Sequence, residues 1–137
     1  MKKIVLDTNV LVSGTFWTGA SYRILSLIDK GEIKFIVSPQ IMNEYSRIIN
    51  SSEILDKTTI NQKARIQSVN RLLQKAIIVE PDEYIEVIKE DKDDNKFIEA
   101  AVSGIASHIV TNDKHILKLK EYKGIKILTP EEFLKEI

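Results

Sequence analysis

The segment VLDTNVLVSG, residues 5–14, decides how the rest of the chain is interpreted, because its apolar run stops at an acid. The run at 4–6 is short and rich in β-branched residues, as strands of buried parallel sheets are. Asp7 follows at once, and then Thr8 and Asn9. Because Asp and Asn favour turns and helix caps, a strand that ends in a turn is the simplest prediction. An active-site acid would account for Asp7 equally well.

Short apolar runs alternate with helix-length segments along the whole chain. The runs lie at 4–6, 35–37, 77–79, 109–110 and 125–127, and the helix-length segments at 21–30, 39–50, 58–76, 94–104, 114–120 and 130–136. This alternation is typical of βαβ units, which place helices on both faces of a parallel sheet. We therefore predict a single domain over residues 1–137, with a three-layer α/β/α fold around a central parallel sheet of about four to five strands.

The composition excludes several classes of protein. Twenty basic and twenty acidic residues give a net charge of zero, so a polyanion partner would need a local basic patch or a bound cation. The absence of cysteine excludes disulfides and thiolate metal sites, and it fits a reducing cytoplasm. No apolar run approaches the length of a membrane span, and the one at the start is too short for the core of a signal peptide.

One segment has a strongly local charge. Residues 57–79 contain no acid but five basic residues, which are Lys57, Lys63, Arg65, Arg71 and Lys75. On a helical wheel Arg71 and Lys75 lie opposite the apolar positions. A solvated helix face and a patch that binds phosphates explain this pattern equally well.

Two acids directly follow predicted strands. Asp7 comes directly after the first run, and Asp113 follows the stretch at 108–112 (HIVTN) in the same manner. Parallel strands would bring both acids to the carboxyl edge of the sheet, where open α/β folds bind ligands. Asp113 also suits the N-cap of a helix that begins at Lys114.

Two further acids lie on predicted helices. Asp94 falls within the apolar stripe of its helix, which comprises Phe97, Ile98, Ala101, Val102 and Ile105. A carboxylate there is costly unless a cation or hydrogen bonds compensate it, although stabilisation of the helix N-terminus is an alternative role. Glu44 lies at the edge of a buried helix face, where Glu is also common as a solvated residue. Asp91 and Asp93 fit either a supporting role or a solvated loop.

Clustering of these acids would favour a metal site. Neighbouring carboxylates raise one another's pKa values, and a hard divalent cation relieves that repulsion. Mg²⁺ or Mn²⁺ prefers oxygen ligands and engages phosphate oxygens. Such an ion can activate water for phosphodiester hydrolysis, and its own charge would attract a polyanion to a neutral protein.

Four motifs together resemble the PIN domain. They are residues 7–13 (DTNVLVS), the helix of Glu44, residues 93–100 (DDNKFIEA) and residues 109–113 (IVTND). The likeness covers almost the whole chain and is strongest to single-domain prokaryotic toxins of toxin–antitoxin pairs. The resemblance implies an endoribonuclease that depends on Mg²⁺ or Mn²⁺. It also implies a homodimer and, for a toxin, a small antitoxin partner.

The resemblance also implies a role for each residue that matches a motif. The metal and catalytic residues would be Asp7, Glu44, Asp94 and Asp113, and the supporting polar residues Thr8, Asn9, Ser13 and Thr111. Asn9 could hydrogen-bond a ligating carboxylate through its side-chain amide. Asn112 stands where many relatives have a small residue, which alters the loop before Asp113. As contacts for RNA we predict Lys63, Arg71, Lys75 and Lys114.

Other functions fit parts of the pattern. A phosphotransferase of the haloacid-dehalogenase type needs a second Asp where Asn9 stands, and a receiver domain needs an acidic pair where only Asp7 is present. A PIN protein that acts in RNA processing without being a toxin is compatible with the sequence. So is an RNA- or protein-binding module with little catalysis. His108 and His115 are predicted to be structural or incidental.

Overall fold

The computed structural model describes residues 1–51 and 59–137. Within them the strands are β1 (Lys3–Leu6), β2 (Lys34–Val37), β3 (Ile77–Ile78), β4 (His108–Val110), β5 (Glu121–Tyr122) and β6 (Ile125–Leu128). The α-helices are α1 (Thr8–Phe16), α2 (Ala20–Asp29), α3 (Pro39–Ile49), α4 (Ile60–Leu73), α5 (Asn95–Ser103), α6 (Lys114–Leu117) and α7 (Pro130–Glu136). A 3-10 turn over Lys92–Asp94 leads into α5.

The strands form one sheet in the order β3-β2-β1-β4-β6-β5. All neighbours are parallel except β5 and β6, which are antiparallel. The predicted α/β fold with a mostly parallel sheet is therefore confirmed, with one strand more than expected. The additional strand, β5, has only two residues and joins β6 through Lys123 and Gly124, both with positive φ. So short a strand leaves no apolar run in the sequence.

Two apolar cores lie on opposite faces of this sheet. Ile4 and Leu6 of β1 face one core, which also contains residues of α1, α2, α4 and α7. Val5, between them, faces the second core, which contains residues of α5 and α6. Successive side chains of a strand point to opposite faces, so a continuous apolar run is the expected pattern for a strand covered on both sides.

The predicted turn after β1 is wrong, because helix α1 begins there at Thr8. Asp7 is its N-cap, and its Oδ1 accepts a hydrogen bond from the Val10 N–H at 3.0 Å. Most of α1 is buried, and its buried residues include Val10, Leu11, Gly14, Thr15 and Phe16. A helix buried on nearly every side has no polar face, so the periodicity that identifies surface helices is missing.

Helix α4 is shorter than the predicted helix at 58–76. It is preceded by a capping box in which Thr59 and Gln62 exchange side-chain and backbone hydrogen bonds at 3.0 and 3.1 Å. The first predicted residue, 58, lies outside the described residues, and so does Lys57. No helix in the described ranges is both long enough and apolar enough to cross a membrane.

The strand order places a topological switch point at β1. From β1 the chain adds β2 and β3 on one side, and then β4 and β6 on the other. Open α/β sheets bind ligands beyond the carboxyl ends of the strands at such a reversal. The residues that leave β1 and β4 at this edge are Asp7 and Thr111, and the Asp7 N–H extends the ladder by donating to the Val110 carbonyl at 3.1 Å.

Candidate active site

Thr111 joins the acids that follow β1 and β4. Its hydroxyl donates a hydrogen bond to Oδ2 of Asp7, and the hydroxyl oxygen of Thr111 accepts one from the Asp113 N–H at 2.9 Å. Asp7 is only 3% exposed, yet both of its carboxylate oxygens are hydrogen-bonded. The structure therefore brings Asp7, Thr111 and Asp113 together at the edge that the strand pattern predicts.

Burial dominates the electrostatics of Asp7. Loss of solvent raises the pKa of this carboxyl, and the charge of Asp113 raises it further. Hydrogen bonds from Thr111 and from the backbone N–H groups of Val10 and Asn9 lower the pKa in part. Asn9 thus acts on Asp7 through its backbone, whereas its side chain is exposed.

Asp113 combines the two roles considered for it. It is the N-cap of α6, and its Oδ1 accepts a hydrogen bond from the His115 N–H at 2.8 Å. Its charge also raises the pKa values of Asp7 and Asp94. Lys114 follows it on an exposed position of the short helix.

Asp94 ends the 3-10 turn and directly precedes α5. Its Oδ2 is buried and has no hydrogen-bond partner within the described part of the chain. The pKa of Asp94 is raised to about 6, mainly by burial and further by the charges of Asp91, Asp113 and Asp7, against the lowering effect of Lys96. A buried oxygen without a donor is costly and is the kind of group that a cation would satisfy.

The apolar stripe assigned to the Asp94 helix is correct except at its end. Phe97, Ile98 and Ala101 are buried and Val102 is half-buried. Ile105 lies beyond the last turn of α5, has a φ of +54° and is 78% exposed. The helix ends at Ser103, so the periodicity no longer applies at that position.

Glu44 reaches the site from α3. Its Oε2 accepts the Thr8 hydroxyl at 2.5 Å, and its Oε1 lies 3.1 Å from Nζ of Lys96. Lys96 also contacts Asp93 at 2.5 Å and is only 4% exposed. The sequence analysis missed Lys96. Its position three residues after Asp93 is the spacing of helical ion pairs and could have indicated it.

The remaining polar residues of the acidic segment organise its backbone. Asn95, also missed from sequence, bonds the backbone of Ile88 through both side-chain atoms, at 2.9 and 3.0 Å, and so anchors the preceding loop beside Asp94. Asp91 accepts the Asp93 N–H at 3.2 Å and begins the 3-10 turn. Ser13 lies nearly two turns along α1, and no hydrogen bond in the described ranges joins its side chain to the acids.

The donor chemistry fits a hard divalent cation, because hard ions prefer carboxylate oxygens. Several carboxylates lie at this edge of the sheet, and Oδ2 of Asp94 has no hydrogen-bond partner in the described residues. The negative charges of Asp91, Asp113 and Asp7 act on the same carboxyl. Within residues 1–51 and 59–137, however, no three His, Asp or Glu side chains are placed to share one ion. Asp7, Glu44 and Asp113 are instead hydrogen-bonded to protein groups. Joint coordination would require some of these bonds to be exchanged.

Three of the four predicted RNA contacts lie on a different part of the surface, and the fourth, Lys114, follows Asp113 directly. Lys63, Arg71 and Lys75 are exposed on or just after α4. Arg71 and Lys75 line a groove of about 350 Å³ between α2 and α4, whose described lining contains none of the four acids. Lys75 also lies 3.6 Å from Asp29 across that groove.

A family model described as the PIN domain matches residues 3–115. The chain belongs to the PIN domain family. The matched range contains all four acids and extends from β1 into α6. PIN domains are nucleases, and they generally use divalent metal ions. Membership therefore agrees with the position of the acids at the edge of the sheet.

Solved structures share the PIN fold of this chain. VapBC2 from Rickettsia felis, bound to a DNA fragment from its promoter, matches with a TM-score of 0.58 and 16% identity, over 91% of this chain and 96% of that one. PAE2754 from Pyrobaculum aerophilum matches with a TM-score of 0.62 and 16% identity, over 98% and 88%. At these identities the likeness concerns the fold alone. No curated protein matches the chain.

Proposed function

We propose that this PIN domain is an endoribonuclease that hydrolyses RNA phosphodiester bonds with Mg²⁺ or Mn²⁺. The observation that carries the proposal is that Oδ2 of Asp94 is buried without a hydrogen-bond partner in the described chain. The charges of Asp113 and Asp7 also raise the pKa of this carboxyl. Three coupled carboxylates, one of them lacking a donor, are a costly arrangement that a divalent cation would stabilise. The proposed site comprises Asp7, Glu44, Asp94 and Asp113.

The polar residues around the four acids have different roles. Thr111 holds Asp7 and the loop of Asp113 in a common position, and Thr8 holds Glu44 beside the start of α1. A divalent ion, when bound by the acids, supplies water activation and neutralises charge on the phosphate. We expect Lys114, which is exposed and follows Asp113, to contact RNA.

We extend the proposal to biological role. The chain would act in the cytoplasm as a homodimer and as the toxin of a type II toxin–antitoxin pair, blocked by a small antitoxin. The sequence resemblance to toxins supports this, as does the fold shared with VapBC2. A PIN protein of RNA processing is the alternative within the family. Induction of the wild-type chain should arrest growth and Asp94→Asn should not. Unimpaired growth on wild-type induction would favour the RNA-processing role.

RNA cleavage tests the activity itself. Single-stranded and structured RNAs are incubated with the metal-free protein, with and without Mn²⁺ or Mg²⁺. The matched variants are Asp94→Asn and, as the control, Asp82→Asn at an exposed position. We expect cleavage by the wild type and by Asp82→Asn only with the ion, and none by Asp94→Asn. Equal cleavage by all three proteins would reveal a contaminating nuclease. RNA binding without cleavage would favour a binding module.

A further inference from the structure

We propose that Lys96 is the permanent ion-pair partner of Glu44, so that Glu44 positions the site without coordinating the metal ion. The ion is held by Asp7, Asp94 and Asp113. This inference rests on the proposed function and divides its four acids into two groups. It makes Lys96 and Glu44 positioning residues. The structure distinguishes the two groups by the partners that each carboxylate already has.

The surroundings of Lys96 explain why it stays with Glu44. Its side chain is 4% exposed, and Nζ lies 3.1 Å from Glu44 and 2.5 Å from Asp93. Nζ also lies 5.2 Å from the centre of the Phe97 ring. Burying an ammonium group is costly unless it is paired, and a cation in the first turn of a helix opposes the helix dipole. The two carboxylates therefore hold Lys96 where it is.

Both oxygens of Glu44 have partners, as do those of Asp7, but one partner of Glu44 is a cation whereas the partners of Asp7 are neutral groups. One oxygen faces Lys96, and the other accepts the Thr8 hydroxyl at 2.5 Å. Asp94 is the opposite case, because its Oδ2 is buried without a partner in the described chain. A divalent ion would gain the unpaired oxygen of Asp94 at little cost, but it would have to break an established ion pair to reach Glu44.

The charges also separate into two groups. Nζ of Lys96 lies 3.1 Å from Oε1 of Glu44 and offsets its charge at short range, so Glu44 contributes little to the repulsion among the carboxylates. The repulsion that a metal ion would relieve therefore lies between the aspartates.

The Glu44–Lys96 pair also connects three helices. Glu44 belongs to α3, Lys96 to α5, and Thr8 begins α1 directly after Asp7. A pair that joins α3 to α5 and is hydrogen-bonded to α1 sets the distance between Asp7 and Asp94. This is how it would influence catalysis without touching the ion.

Mn²⁺ affinity of the metal-free protein tests the assignment without relying on activity. Titration calorimetry compares the wild type with Glu44→Gln, Lys96→Met, Glu44→Gln/Lys96→Met and Asp94→Asn, with Lys92→Met as the control at an exposed lysine of the same segment. We expect Asp94→Asn to raise Kd at least about thirtyfold and Glu44→Gln to change it less than about threefold, since only the first removes a ligand. Lys96→Met should bind Mn²⁺ at least about threefold more tightly, because it leaves Glu44 uncompensated.

The double variant keeps the test valid if Lys96→Met does not fold. It removes both charges and should bind Mn²⁺ like the wild type, and at saturating Mn²⁺ it should lower kcat for RNA cleavage. The single variant Lys96→Arg keeps the positive charge and should therefore retain more of the wild-type kcat than the double variant does. If Glu44→Gln weakens Mn²⁺ binding as much as Asp94→Asn does, Glu44 is a ligand. That result would overturn this inference but not the proposed function. Absence of Mn²⁺ binding to the wild type would overturn the proposed function, and this assignment with it.

Discussion

Replacing Asp94 with Asn should stabilise the metal-free protein at neutral and alkaline pH. In the folded protein burial and neighbouring acids raise the pKa of Asp94 from 3.8 to about 6. Between these values the folded state binds more protons than the unfolded state, so stability falls as pH rises through this window. Above about pH 6 nearly the whole of this loss of stability is present. Asn carries no charge at any pH, so the variant does not lose this stability.

The size of the stability difference follows from the rise in the pKa of Asp94. A pKa that is about 2 higher in the folded state corresponds to about 3 kcal/mol, at about 1.4 kcal/mol for each step of one in pKa. Asp94 is partly exposed, so solvent screens part of its charge and we expect a gain of ~1–2 kcal/mol at pH 8. At pH 4, where the folded protein holds the proton, the gain should almost vanish.

Urea unfolding at pH 4 and pH 8 measures this difference, with Asp82→Asn as the exposed control. Saturating Mn²⁺ should then reverse the order at pH 8, because an ion at about 100 times its Kd stabilises the wild type by about 2.7 kcal/mol and the variant hardly at all. The reasoning is refuted if Asp94→Asn is less stable than the wild type at pH 8 without metal. It is also refuted if the difference is the same at both pH values.

Three further predictions concern parts of the fold away from the site. Ile105→Gly should stabilise the protein by about 1 kcal/mol in urea unfolding, because a β-branched residue is held at a φ of +54° while 78% exposed; a loss of stability would contradict this. Gly14→Ala should cost about 1–3 kcal/mol in the same assay, because the new Cβ would lie 2.6 Å from Cδ1 of Leu25, and an unchanged midpoint would show that Leu25 moves freely. Glu136→Gln should lower Tm at pH 7 but much less at pH 3. Hydrogen bonds from His108 and then Lys126 lower the pKa of Glu136 below 4.5, so its stabilisation is present above that value and is lost as pH falls through the folded pKa. A gap in Tm that stays constant from pH 7 to pH 3 would argue against this linkage.

Local patterns were sufficient for five of the six strands in the described part of the chain and for most of its helices. The runs at 4–6 and 109–110 became β1 and β4, and Ser38 and Thr129 cap α3 and α7 through their side chains. A strand covered on both faces must be continuously apolar, and a helix start needs a side chain that accepts its free N–H groups. Both requirements can be recognised in a few consecutive residues.

Elements without such a pattern escaped prediction. Helix α1 is buried on nearly all sides, and β5 is too short to show alternation. The conformation of Ile105 depends on where α5 ends: the C-cap Gly104 has a right-handed φ of −89°, and the left-handed position falls on the next residue, Ile105.

By itself, the sequence determined that an acid follows each of two strands and that Asp94 shares the apolar side of its helix. Those facts depend on short apolar runs and on helical periodicity, which are local properties, whereas the adjacency of the two strands in the sheet is a property of the fold. Only the tertiary structure decided which partners the carboxylates have. Lys96 and Glu44 are far apart in the chain and meet only because α3 and α5 pack together. Oδ2 of Asp94, which has no hydrogen-bond partner among the described residues, is buried only in the folded chain. Pairing and desolvation depend on three-dimensional proximity, and no periodicity in the sequence encodes it.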